Sequence, residues 1–281
     1  MRHEFLLLSA ASLALVVTAC KPAAVADPQE AALAESESSA TQDTLDVSDA
    51  SAATAGFAPS SSSNLVSGCT TTRDVLATAT ACSQSYDSSV KVSWSCVGAN
   101  GGTSQGVANV ATTVTPDACP PTTLAIAQTI GLDRTRTHGD LTGTLTGTSI
   151  VSWNVQPAAN AATKQVSLQL EHKVTKDGAL VRHQTIEGAK TVDIERNGPG
   201  VADNTRVANG TLDVKFLLAG DELNVTESNL TWHHDCCYPV AGSLSFVKSG
   251  NATGEGSITF GPSCGEAVNA QGDSLNLADC N

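Results

Sequence analysis

The densest run of ligand-type side chains in the chain is His233-His234-Asp235-Cys236-Cys237. Zinc needs four nitrogen, sulfur or oxygen donors converging tetrahedrally. On an extended strand His233 and Asp235 face one way while His234 and Cys236 face the other. Half the run reaches any one ion, so His233 and His234 are weak metal candidates and no cofactor is expected. Gly261-Pro262-Ser263-Cys264-Gly265 matches the G-x-S-x-G pattern of a nucleophile elbow. That elbow requires a strand-to-helix turn in a parallel sheet, and neither surrounds this segment, so the match reads as accidental. Arg134, Arg136 and His138 alternate with threonines and form one basic stripe along a strand. Such a stripe is either a solvated face or a site for an anion such as a phosphate or lipopolysaccharide headgroup. His172 and His183 flank Asp177-Gly178. A two-residue turn there opposes the two imidazoles directly. A three-residue Lys176-Asp177-Gly178 loop sets His183 against Glu171 and His172 against Arg182 instead. Asn224 and Asn229 head N-x-T triplets, read as polarity on a surface strand.

These candidates sit in a chain that reads as all-β. Val166–Val174 alternates apolar and polar residues, meets a turn signal at Lys176-Asp177-Gly178 and returns through Ala179–Ile186. The same unit recurs at Thr211–Leu218 with Glu222–Trp232, at Ser243–Val247 with Ser257–Phe260, and at Ala267–Asn269 with Ser274–Leu277. Leu141–Thr148 is a period-two run with glycine at every fourth position. Alternation punctuated by turn residues predicts a meander of antiparallel hairpins, about 10–14 strands, forming a sandwich or one strongly curved sheet. Short helical pieces are allowed near Arg73–Ala81 and Thr122–Ile130.

Aromatic residues make up only 4% of the chain, and much of the apolar fraction is Ala and Val. Small side chains bury little area each, so cross-links are expected to compensate. Cys69, Cys82, Cys96, Cys119, Cys236, Cys237, Cys264 and Cys280 form an even set, split into an N-terminal and a C-terminal four. In an exported protein this reads as a disulfide framework with local pairing inside each four. Adjacent Cys236 and Cys237 face opposite ways and should take different partners, for which Cys264 and Cys280 are the natural ones.

Export is written at the other end. Arg2 precedes an apolar run from Phe5 to Val17, the anatomy of a signal peptide and about 20 Å of helix, short of a bilayer core. The run closes in Val17-Thr18-Ala19-Cys20. This resembles the lipobox of bacterial lipoproteins, which implies that the leader 1–19 is removed and Cys20 acylated. Lys21 stands where inner-membrane lipoproteins typically carry Asp, so the resemblance implies the outer membrane of a two-membrane bacterium. The segment from Cys236-Cys237-Tyr238-Pro239 to Cys264-Gly265 also resembles the ends of uncharacterised secreted β-rich bacterial proteins, which implies no activity.

Residues 20–64 are rich in Ala, Ser and Thr and carry one lysine against seven carboxylates. They read as a flexible acidic tether reaching about 35 Å, with a short helix around Gln29–Ser36 that would not be stable alone. Residues 65–281 read as a single domain. The whole chain carries a net charge of −13, which argues against nucleic acid as a ligand. The expected role is a non-catalytic envelope module, anchored through Cys20 acyl chains, that binds an envelope protein or glycolipid. The runner-up is a lipid carrier with an apolar groove lined by Leu168, Leu170, Val214 and Phe216, and an enzyme comes third.

Overall fold

The structure is a computed structural model that describes residues 29–35, 37, 40–41, 44–45, 69–97, 101–156, 161–196, 204–233, 236, 238–275 and 277. Cys20, His234, Asp235, Cys237 and Cys280 lie outside the described residues.

Twelve strands follow one another as an antiparallel meander in one sheet, each pairing with its sequence neighbours. They are β1 (Cys69–Ala81), β2 (Gln84–Val97), β3 (Thr103–Pro116), β4 (Leu124–His138), β5 (Leu141–Gln156) and β6 (Ala161–Lys176). The second half is β7 (Ala179–Arg196), β8 (Asn204–Phe216), β9 (Asp221–Trp232), β10 (Ala241–Gly250), β11 (Gly254–Phe260) and β12 (Ala267–Asn269). The all-β expectation holds, and of its two architectures the single sheet is the one found. Among the described residues the sheet is open, with β1 and β12 as its two edges.

Period-two alternation decides which face goes inward. Along β4, Leu124, Ile126, Gln128, Ile130, Leu132 and Arg134 are buried and the residues between them are not. The helical reading of Arg73–Ala81 and Thr122–Ile130 is therefore corrected: the first lies in β1 and Leu124–Ile130 opens β4. Cross-strand pairing runs along both segments and outweighs the strong helical preference of their alanines. Inward curvature requires close backbone approach, which Gly147 on β5 supplies. Its φ is +145°, and a Cβ there would collide with the Gln169 carbonyl oxygen of β6.

The buried face needs something to cover it, and the chain supplies its own cover. Residues 29–35, 37, 40–41 and 44–45 are helical (α1). Leu33, Glu37, Ala40, Thr41 and Thr44 recur at three- and four-residue spacing and are all buried, as are Ala32, Ala34 and Leu45. Leu33 and Leu45 belong to the same buried cluster as the sheet's Leu168, Ile186, Val214 and Val225. This corrects the tether reading for the stretch. Few large apolar residues are present, but a small-residue helix is what fits inside a curled sheet, and burial offsets the cost that leaves it unstable alone.

Cys82–Cys119 ties the β1–β2 turn to the β3–β4 loop, and Cys236–Cys264 ties the segment after β9 to the β11–β12 loop. Both pairs are local within their fours, as expected from the sequence. Cys96 is also disulfide-bonded, and its backbone partner in register is Cys69.

Candidate functional site

The chemistry of the molecule is concentrated where α1 meets the concave face. Strand register lines up Lys190 of β7, Gly210 of β8 and Glu227 of β9. All three positions point inward, in phase with Val192, Leu212 and Val225. Lys190 Nζ donates to Glu227 Oε1 at 2.7 Å, Glu37 Oε1 at 2.8 Å and Thr41 Oγ1 at 2.5 Å, which uses its three protons. The Thr41 hydroxyl donates in turn to Glu37 Oε1 at 2.6 Å. The side chains of Lys190, Glu37 and Glu227 have no exposed surface.

One cation thus faces two carboxylates in a dry interior. Burial pushes the Glu227 carboxyl up to about 8, with Glu37 adding to the rise and Lys190 opposing it. Lys190 itself is raised, because the pull of the two carboxylates outweighs its own desolvation. A perturbed acid in an open cleft is a candidate catalyst. Here the three charged side chains have no exposed surface, and the arrangement holds α1 against the sheet.

Polar contacts extend along α1 on both sides of this network. Gln29 Nε2 donates to Asp221 Oδ2 at 2.8 Å, and Lys248 donates to Gln29 Oε1. Asn269 of β12 reaches Glu30 at 3.3 Å, Arg182 of β7 reaches Glu35 at 3.0 Å, and Thr44 meets Ser149 of β5 at 3.0 Å. Elsewhere inside, Lys164 of β6 is fully buried with Nζ 3.6 Å from the centroid of the Trp153 ring, a cation–π contact.

The Arg134, Arg136, His138 stripe lies at the end of β4, with Arg134 buried in the interior, Arg136 half-buried and His138 exposed. Arg134, Leu145 and His172 are in register on β4, β5 and β6. Burial pushes the His172 imidazole down to about 3, with Arg134, Arg182 and Arg136 adding to the effect. This end of the interior therefore holds a neutral histidine among guanidinium groups.

Neither turn reading for the two histidines gives the observed pairing. Asp177 and Gly178 form a two-residue turn with positive φ at both, so Lys176 faces Ala179. A bulge between Val174 and Thr175 then shifts the register by one residue. His172 faces Gln184 in the interior, whereas His183 faces Lys173 and meets Glu171 Oε1 through Nε2 at 2.6 Å. His233 is an exposed residue just after β9. Among the described residues no group of three or more His, Cys, Asp or Glu is placed to share a metal ion. Ser263 lies in the β11–β12 loop, its N–H donating to Glu266, beside the bridged Cys264. Asn224 donates to Asp213 across the β8–β9 pair, and Asn229 sits at the β9 bulge with φ +50°.

Sequence reasoning passed over Lys190, Glu37, Glu227 and Lys164. A signal was present: each strand residue of this set occupies the apolar phase of its strand. Lys190 keeps step with Ile186 and Val192, Glu227 with Leu223 and Val225, and Lys164 with Val166 and Leu168. No protein-family model, curated protein or solved structure matches the chain.

Proposed function

We propose that the chain is an exported lipoprotein, anchored through acyl chains on Cys20 in the outer membrane of a two-membrane bacterium. Its role is that of a non-catalytic binding or structural module of the envelope. One observation supports this reading above the others: Gln29, nine residues after Cys20, already belongs to α1, which Lys190 locks against the sheet. A body held together that close to the anchor residue suits a membrane-proximal module.

Metabolic labelling with a palmitate analogue tests the assignment. Wild-type protein takes up label and sediments with the outer membrane, and Cys20→Ala does neither. An unlabelled wild-type chain overturns the reading.

The carrier reading has its own support, since Leu168, Leu170, Val214 and Phe216 line the concave face as such a groove would need. They share that core with α1, so a carrier would have to release the helix to load. Lipid co-purifying with the chain and recovered by organic extraction would favour it, and an empty extract would leave the first reading standing.

A further inference from the structure

Five of the large apolar residues left in solvent gather on one rim of the sheet. Leu141, Leu180, Val181, Leu217 and Leu218 are each between 40% and 55% exposed. They stand at the turn ends of three successive hairpins, β4–β5, β6–β7 and β8–β9. The tips are adjacent: Leu141 pairs with Lys176 and Leu180 with Thr175, so the end of β6 lies between them. The Leu217 N–H donates to the His183 carbonyl, which lays the β8–β9 turn along the start of β7. Scattered single apolar residues on a surface are ordinary, but neighbouring ones on consecutive tips form a patch.

The path of the chain says what covers this patch. Gln29, where the description of α1 begins, is bonded to Asp221, which opens β9 immediately after the Leu217–Gly220 turn. The described chain therefore starts at the same rim. Nine residue steps separate Gln29 from Cys20, a reach of about 30 Å at full extension. Any membrane holding Cys20 lies within that distance of Gln29, on the side of the molecule where the apolar tips stand.

Three lysines of the rim are paired locally, Lys173 with Glu171, Lys176 with Asp140 and Lys215 with Glu222. What the exposed leucine and valine tips offer a bilayer is apolar insertion.

We propose that the Leu141, Leu180–Val181 and Leu217–Leu218 tips dip into the lipid surface to which Cys20 is anchored. The body then stands rim-down on the bilayer with a fixed orientation. This inference rests on the anchored reading, and its test separates the two.

Leu218→Trp in the full chain, reconstituted into phosphatidylcholine vesicles carrying brominated acyl chains, places a reporter at the tip. Its fluorescence is expected to be quenched, in high salt as in low. A tryptophan replacing exposed Leu76, midway along edge strand β1 and away from the rim, is expected to keep its emission. Leu180→Trp serves as the second reporter should the first variant fold poorly. Membrane-bound protein whose rim reporters both stay bright overturns the proposal. So does a concentration-dependent blue shift without lipid, which would give the rim to a second copy of the chain. The mass of the N-terminal peptide reports acylation independently. A chain without acyl groups is mixed directly with the same vesicles, where quenching again supports the rim contact and its absence overturns it.

Discussion

Lys190 and Glu227 stand on strands that are not neighbours, yet Nζ and Oε1 are 2.7 Å apart. Gly210 makes this possible, because the strand between them has no side chain at the position facing both. A Cβ at Gly210 would lie 2.5 Å from the Lys190 Cβ and 2.5 Å from the Ala189 carbonyl oxygen. Gly210→Ala is therefore expected to cost about 1–3 kcal/mol, the usual range for overpacking, measured as a lower denaturant midpoint. An unchanged midpoint would mean that Lys190 does not cross β8 as described.

Removing the cation should be worse than removing the whole network. Lys190→Met leaves Glu37 and Glu227 buried without their cation, and a loss of about 3–5 kcal/mol is expected. Adding Glu37→Gln and Glu227→Gln to Lys190→Met should recover most of it, since the uncompensated charges are then gone. If the triple variant is no more stable than the single, buried uncompensated charge is not what makes the loss of Lys190 costly.

A helix in the core and a helix on a tether respond differently to truncation. Leu33 is fully buried, so Leu33→Ala should lower global stability by about 2–5 kcal/mol. Glu35→Ala loses a partly exposed pair with Arg182 and should cost less than about 1 kcal/mol. Equal, negligible effects from both would return this stretch to the tether.

Stability should depend on pH from both sides. Glu227 is raised from 4.5 to about 8, so the folded state holds a proton that the unfolded chain has released. Its contribution is complete below pH 4.5 and is lost as pH rises through 8. His172 is lowered from 6.5 to about 3, so the unfolded chain binds a proton that the folded state refuses. Its contribution is complete above pH 6.5 and is lost as pH falls toward 3. The two slopes oppose between pH 4.5 and 6.5, which predicts a plateau there and decline on either side. Asp117, held well below the usual carboxylate range by the Thr122 hydroxyl, steepens the acid limb. Denaturant midpoints across pH check this, and His172→Gln should flatten the acid side. A monotonic profile would contradict the burial of both groups.

Oxidised and reduced masses should differ by eight hydrogens, one for each cysteine other than Cys20. A peptide map should join Cys82 to Cys119 and Cys236 to Cys264, and Cys96 to its register partner Cys69. Cys264→Ser should cost about 2–4 kcal/mol, visible as a lower thermal midpoint.

The strands were legible because their signal is local. Side chains alternate along β4 or β6 whatever lies opposite, so Leu124 through Leu132 and Val166 through Leu170 declare their inner face from sequence alone. Turn chemistry is equally local, and Asp177-Gly178 marked its hairpin. What the sequence could not carry was register beyond one bulge. A single extra residue in β7 separated His172 from His183 and sent one inward and the other outward.

Still less could it carry the partnership of α1 with the sheet. Glu37 and Lys190 are 153 residues apart, and nothing in the Ala- and Ser-rich run around Glu37 distinguishes a solvated segment from one destined for an interior. Amino-acid order determined an all-β meander and its inward faces. Tertiary structure decided which cysteines join and that, among the described residues, one curled sheet is covered by its own α1 rather than by a second sheet. The physical reason is that apolar burial is settled by whichever surface is available, and only the folded sheet creates the concave surface that makes a weak helix worth ordering.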